Sequence, residues 1–104
     1  MIHRGDVYDA EFPLAGAHPA VVVTRESAIP VLSGITVAGI TSTIRGHRAE
    51  VALDQAEGLD HPSVANCDEI FTLPKAYLRR YRGRLGPEAL ARLDDALTVA
   101  LDLG

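Results

Sequence analysis

His18-Pro-Ala-Val-Val-Val-Thr-Arg25 and Ile35-Thr-Val-Ala-Gly-Ile-Thr-Ser-Thr-Ile44 are two runs rich in β-branched residues, joined by a loop that Pro30 and Gly34 break. Such runs predict an antiparallel strand pair. Setting Arg25 against Ile35 makes facing residues sum to about sixty, which brings His18 beside Thr41 and Ser42 at one sheet end. An imidazole next to the hydroxyls of Thr41, Ser42 and Thr43 combines a proton-transfer group with hydrogen-bond donors. That combination suits chemistry on a phosphodiester.

Outward from this pair, Gly5 to Phe12 places Tyr8, Ala10 and Phe12 on one face and predicts a first strand ending at Pro13, with Leu14–His18 as a short loop. Strands follow at about 19–25 and 35–41. Arg45-Gly46-His47 reads as a polar turn, and alternation resumes from Arg48 to Leu53. Gln55–Pro62 reads as loop. Ser63–Cys67 and Glu69–Leu73 are two strand-like pieces around Asp68, Pro74 suits the first turn of a short helix through Leu78, and Arg80–Leu85 extends again. Pro87 starts the final element, Glu88 favours its positive end, and Leu90, Leu93, Leu97 and Leu101 recur at helical spacing. Many short strands and one terminal amphipathic helix predict a mainly β (α+β) domain, a small and strongly bent antiparallel barrel.

The chain has 104 residues, 47% apolar and 23% charged, which predicts a single folded domain over 1–104 and excludes disorder. No apolar run reaches the ~18 residues that span a bilayer, and Met1-Ile2-His3-Arg4-Gly5-Asp6 does not resemble a signal peptide. The single cysteine, Cys67, permits no internal disulfide, so a cytoplasmic protein is expected. Cys67 is expected to pack as a small hydrophobe. The net charge of −4 argues against a nucleic-acid partner. Arg79, Arg80, Arg82 and Arg84 nevertheless form a local basic cluster able to meet phosphate or an acidic chain. His3, His47 and His61 lack ligand spacing; no metal and no cofactor are expected.

Five blocks together carry a family resemblance: Arg4-Gly-Asp-Val-Tyr8, His18-Pro-Ala-Val-Val-Val-Thr24, Ile40-Thr-Ser-Thr-Ile44, the run from Gly58 to Leu73, and Arg82-Gly-Arg-Leu-Gly-Pro-Glu88. In this order, with the Leu-rich end, they resemble the MazF/PemK/Kid toxins over nearly the whole chain. The resemblance implies an SH3-like barrel that forms a homodimer and acts as a sequence-specific, metal-independent endoribonuclease on single-stranded RNA. It further implies 2′,3′-cyclic phosphate and 5′-hydroxyl products, and a cognate antitoxin whose acidic, disordered C-terminal tail occupies the RNA groove. Carried over by position, the family's catalytic Thr matches Thr41, with Ser42 and Thr43 as the following hydroxyls, and its acidic site residue matches Asp68. Asn66 and Glu69, on either side of Cys67 and Asp68, join the RNA-binding set.

Two positions depart from the family pattern. His18 stands where these toxins usually carry Arg, and Asn66 where some carry Arg; the first loop is also shorter than in many members. A free imidazole, with a pKa near ~6.5, is only about a quarter protonated at pH 7, so a separate cation has to supply permanent charge. Arg25 is seven extended residues from His18, roughly 23 Å away, whereas Arg45 is four residues past Thr41. Arg45 is therefore favoured, with Arg48 second. The roles expected are proton transfer for His18, phosphate contact for Thr41, orientation for Asp68 and charge neutralisation for Arg45. Base reading is expected from loops 14–18 and 42–48. Two alternatives stay open: a CcdB-like protein that binds gyrase, and a barrel that holds RNA or an antitoxin without cutting.

Overall fold

A computed structural model describes Met1–Gly104. Six strands form one curled antiparallel sheet: β1 Asp6–Phe12, β2 Gly16–Val22, β3 Gly34–Thr41, β4 Glu50–Leu53, β5 Ser63–Pro74 and β6 Leu78–Arg84, followed by helix α1, Pro87–Ala100. The order across the sheet is β4-β5-β3-β2-β1-β6. The strongly bent antiparallel sheet and C-terminal helix expected from the strand pattern are both present, the sheet curling into a half-barrel.

The Val21-Val22-Val23 run does not alternate in polarity because both faces of β2 are covered. Val21 packs into a cluster with Val7, Ala38, Ile40, Val51 and Ala65, which Ala89, Leu93 and Ala96 of α1 close from outside. Val22 belongs to a second cluster with Ala10, Phe12, Ile35, Val37 and Leu73. Pro at the first helical position and Glu88 in the first turn start α1, as the sequence predicts.

The β2–β3 register is Ala20↔Gly39, Val21↔Ala38 and Val22↔Val37, one residue from the sequence estimate. Carried past its last pair, this register sets His18 across from Thr41. Several boundaries differ. The loop expected at Leu14–His18 is a tighter turn, with Leu14 at φ 70 and Gly16 at φ 80, and β2 already begins at Gly16. The two pieces expected around Asp68 form the single strand β5. Its ladder to β3 jumps from Ala38↔Ile70 to Gly39↔Asn66, so Cys67, Asp68 and Glu69 bulge out without β3 partners. The short helix expected after Pro74 is one 3₁₀ turn, Lys75–Tyr77.

A second 3₁₀ turn, Gln55–Glu57, ends at Gly58 with φ 92 and carries the chain towards Asp60 and His61. A Cβ on Gly58 would stand 2.1 Å from the Arg82 carbonyl oxygen. Gly58→Ala therefore meets both left-handed strain and a backbone clash. It should cost at least about 2 kcal/mol, lowering Tm by about 8 °C or more in thermal denaturation. An unchanged Tm would remove the close approach of this turn to β6.

Candidate active site in the cleft between β2, β3 and β5

One cleft dominates the surface, with a volume of about 990 Å³. His18, Thr41, Ser42, Thr43, Arg45, Asn66 and Glu69 all line it. Seven side chains singled out in the sequence thus converge on one concavity. Asp68 and Arg48 are not among its lining residues. The bulge in β5 turns Asp68 outward, where its Oδ2 lies 4.0 Å from His47 Nδ1, and Arg48 is exposed beyond the turn.

His18 Nε2 lies 2.9 Å from the Ala15 carbonyl oxygen. A carbonyl only accepts, so Nε2 carries the proton and neutral His18 keeps its lone pair on Nδ1. The ring also leans on Phe12, at 6.3 Å between centroids. The tight turn that shortens the first loop is what brings Ala15 back to hold the imidazole. Thr41 Oγ1 accepts from the Thr43 N–H at 3.1 Å, a local hydroxyl–backbone contact that fixes the rotamer and leaves the hydroxyl proton free to donate.

Arg45 is held by its backbone while its guanidinium pairs with no carboxylate. The Arg45 N–H donates to both Glu50 carboxylate oxygens at 3.2 Å, and the Gly46 N–H donates to Oε1 at 2.7 Å. Glu50, at the start of β4, has a side chain only 4% exposed. Desolvation is the largest single influence on its carboxyl and acts upward. The bonds from Gly46 and Arg45 and the charge of His47 together outweigh it and hold Glu50 below the usual carboxylate value.

The Arg79–Arg84 cluster is not the free basic patch that its sequence suggests. Arg82 Nη1 donates to Asp9 Oδ1 at 2.9 Å, its Nη2 lies 3.3 Å from Asp60 Oδ2, and its Nε donates to the Gly58 carbonyl at 3.2 Å. The Asp9 bond leads the influences that raise the Arg82 pKa. Arg84 pairs with buried Asp6 at 3.5 Å, Arg80 lies 3.9 Å from Asp9, and Arg79 stacks over the Tyr77 ring. Only Arg82 of the four reaches the cleft, and it arrives neutralised. Cys67 packs in the core as expected; burial first, and then the Asp68 charge, push its thiol up to about 11.

Sequence reasoning missed Asp60, His61, Phe12 and Phe71 as cleft residues. Asp60 and His61 sit in the Gly58–Leu73 block that carried the resemblance, and the phenylalanines are the only two in the chain. Nowhere do three or more His, Cys, Asp or Glu side chains gather as a metal-ligand set.

The family model described as PemK-like, MazF-like toxin of type II toxin-antitoxin system matches residues 3–101. The chain belongs to this family. It is 41% identical over 87 residues to endoribonuclease MazF3 of Mycobacterium tuberculosis, covering 84% of each protein. Among solved structures, Mycobacterium tuberculosis toxin MazF-mt6 superposes with a TM-score of 0.88 at 37% identity, over 95% of this chain and 98% of the other. A mycobacterial endoribonuclease in complex with its cognate antitoxin matches at a TM-score of 0.91 and 29% identity, over 100% of this chain and 98% of the other. The family is the one the residue blocks resemble, not the CcdB-like alternative.

The sign of the Glu50 contribution to stability follows from its lowered carboxyl value. It is present above about pH 4.5, where the unfolded chain ionises, and is lost as pH falls through the lower folded value. Glu50→Gln should therefore lower Tm near neutrality, and the gap from wild type should shrink below pH 4. A gap that stays constant with pH would show that the carboxylate charge does not pin the toxin's 45–46 backbone.

Proposed function

We propose that the chain is the toxin of a type II pair and a sequence-specific endoribonuclease acting on single-stranded RNA. The observation that supports this most is the convergence of His18, the Thr41–Thr43 hydroxyls and Arg45 on one cleft, in a chain of this family. Three chemical needs are met there by separate groups. The free Nδ1 of His18 takes the proton of the 2′-hydroxyl as it attacks the adjacent phosphorus. The Thr41 and Ser42 hydroxyls donate to the phosphoryl oxygens, and Arg45 offsets the charge that grows on them. The 5′-oxygen takes a proton from solvent as it leaves, giving a 2′,3′-cyclic phosphate and a 5′-hydroxyl without a metal. Asn66 and Glu69 present amide and carboxylate groups to neighbouring bases, and the Asn66 Nδ2 donates to Glu69 Oε1 at 3.3 Å, which sets their orientation.

Asp68 has a positioning part in this reading, through His47 and the Glu50-pinned turn, and Arg48 contributes at most to distant phosphates. The partner is a cognate antitoxin whose acidic C-terminal tail enters the cleft against Arg45, since Arg80, Arg82 and Arg84 of β6 are already paired with aspartates. The pair works in the cytoplasm. No helix is long and apolar enough to cross a membrane.

His18→Ala should reduce cleavage at least ~100-fold. Rates on a defined RNA from about pH 5.5 to about 9, for wild type and variant, read the dependence on this base directly. Thr41→Ala should weaken cleavage and leave the fold intact, because a half-exposed strand-end hydroxyl contributes little to the core. Full activity in His18→Ala with an unchanged profile would remove His18 from the chemistry.

The toxin acts as a homodimer on this reading. The barrel is small, and it leaves Val31, Leu32, Leu101 and Leu103 exposed by 80%, 45%, 48% and 72%. Light scattering at micromolar concentration should give twice the chain mass. A monomer that still cuts RNA would refute the dimer.

A further inference from the structure

Phe12 and Phe71, the only two phenylalanines of a chain without tryptophan, both line the cleft. They come from strands far apart in sequence and meet edge to face, with centroids 5.1 Å apart and planes at 70°. Phe12 is 8% exposed and belongs to the second core cluster, whereas Phe71 is 41% exposed. One ring is thus anchored and the other is presented. A phenylalanine left this open, on the wall of a cleft, keeps part of its ring free for something other than the core.

The strand opposite is cut away at the right place. Phe71 pairs with Val37 in the β3–β5 ladder, and Gly39 lies two residues further along β3 on the same face. A Cβ on Gly39 would sit 3.9 Å from Phe71 Cε2, in ordinary contact, so any longer side chain there would extend over the ring. Gly39 has no left-handed φ that would require glycine. What glycine provides here is open space above an aromatic ring, two residues before Thr41.

We infer that Phe71, braced by Phe12 and uncovered by Gly39, is a stacking platform for one unpaired base of the strand that enters the cleft. The inference rests on the ribonuclease reading and adds where a base is held relative to the reacting phosphate. A flat apolar ring accepts any base face, so the platform supplies affinity and register, while Asn66 and Glu69 supply discrimination. Phe71 then acts on KM and on the choice of cut site more than on kcat, because His18 and Thr41 are untouched by its removal.

The test has a binding arm and a cleavage arm. In the binding arm, single-stranded DNA oligonucleotides carrying 2-aminopurine report stacking; without a 2′-hydroxyl they cannot be cut by the proposed route. Phe71→Trp makes the sole tryptophan of the chain, whose fluorescence should be quenched as the oligonucleotide is titrated. Phe71→Ala should weaken binding about 5- to 150-fold, and Phe71→Tyr should stay within about threefold of wild type. In the cleavage arm, KM on an RNA spanning a mapped wild-type cut should rise by the same factor in Phe71→Ala, with kcat little changed. Gly39→Val covers the ring without removing it and should mimic the loss, which decides the matter if Phe71→Ala does not fold.

The outcomes separate the two claims. Wild type that cuts RNA while Phe71→Ala or Gly39→Val matches it in affinity and KM overturns the platform and leaves the ribonuclease standing. Wild type that binds through Phe71 but cuts no RNA overturns the ribonuclease and leaves the platform. Absence of both binding and cutting overturns both.

Discussion

Between Ala38↔Ile70 and Gly39↔Asn66 the β3–β5 ladder loses step, and Cys67, Asp68 and Glu69 are forced out of it. Three extra residues in one strand of an antiparallel pair oblige that strand to bend and twist more strongly. The bend lets the first half of β5 pair with both β4 and β3, Asn66 standing opposite Glu50 on one side and Gly39 on the other. The bulged residues are each satisfied differently. Cys67 donates its N–H to the Ala49 carbonyl at 2.8 Å and buries its thiol, Asp68 donates its N–H to Asn66 Oδ1, and Glu69 returns to the cleft. Without this offset, β5 would run straight and the concave surface that gathers the candidate site would flatten.

Curling also solves the problem of a sheet with two apolar faces. One face is closed by α1, and the other closes on itself around Ile35, Val37 and Phe12. Two free edges remain, β4 and β6. On β6 the arginines carry charge along the edge, which discourages strand addition, and three of them are tied to aspartates at 2.9–3.9 Å. Arg82 also fastens the Gly58–Asp60 segment, so the same ion pairs that protect the edge hold one rim of the cleft in place.

Much of this was legible in the sequence because it depends on neighbours in the chain. The β2–β3 pair, the helix starting at Pro87 and the grouping of His18 with the Thr41–Thr43 hydroxyls follow from local patterns of branching, punctuation and spacing. Contacts between distant segments were not legible. Arg82 meets Asp9 across 73 residues, and nothing near either one marks the pairing, so a charge run able to meet phosphate has three of its four arginines in internal ion pairs. The outward placement of Asp68 was not legible for a related reason: the bulge that turns it away from the cleft is a property of the β3–β5 pair, not of the residues around it.

The cleft has little net charge with which to hold an anion. Of the two arginines that line it, Arg82 is compensated by Asp9 and Asp60, and Asp60 and Glu69 bring carboxylates to the same surface. Arg45 alone is uncompensated. A single phosphate contact releases about one counterion, which gives a slope near −0.7 in the logarithm of affinity against that of salt. Attraction that weak does not retain a short strand, so on the ribonuclease reading most of the affinity has to come from bases. Donors and acceptors at Thr41, Ser42, Asn66 and Glu69, together with an exposed ring at Phe71, are groups that engage bases and phosphoryl oxygens at close range. A cleft built this way discriminates by what it contacts, which is the property a sequence-specific nuclease on an acidic protein needs.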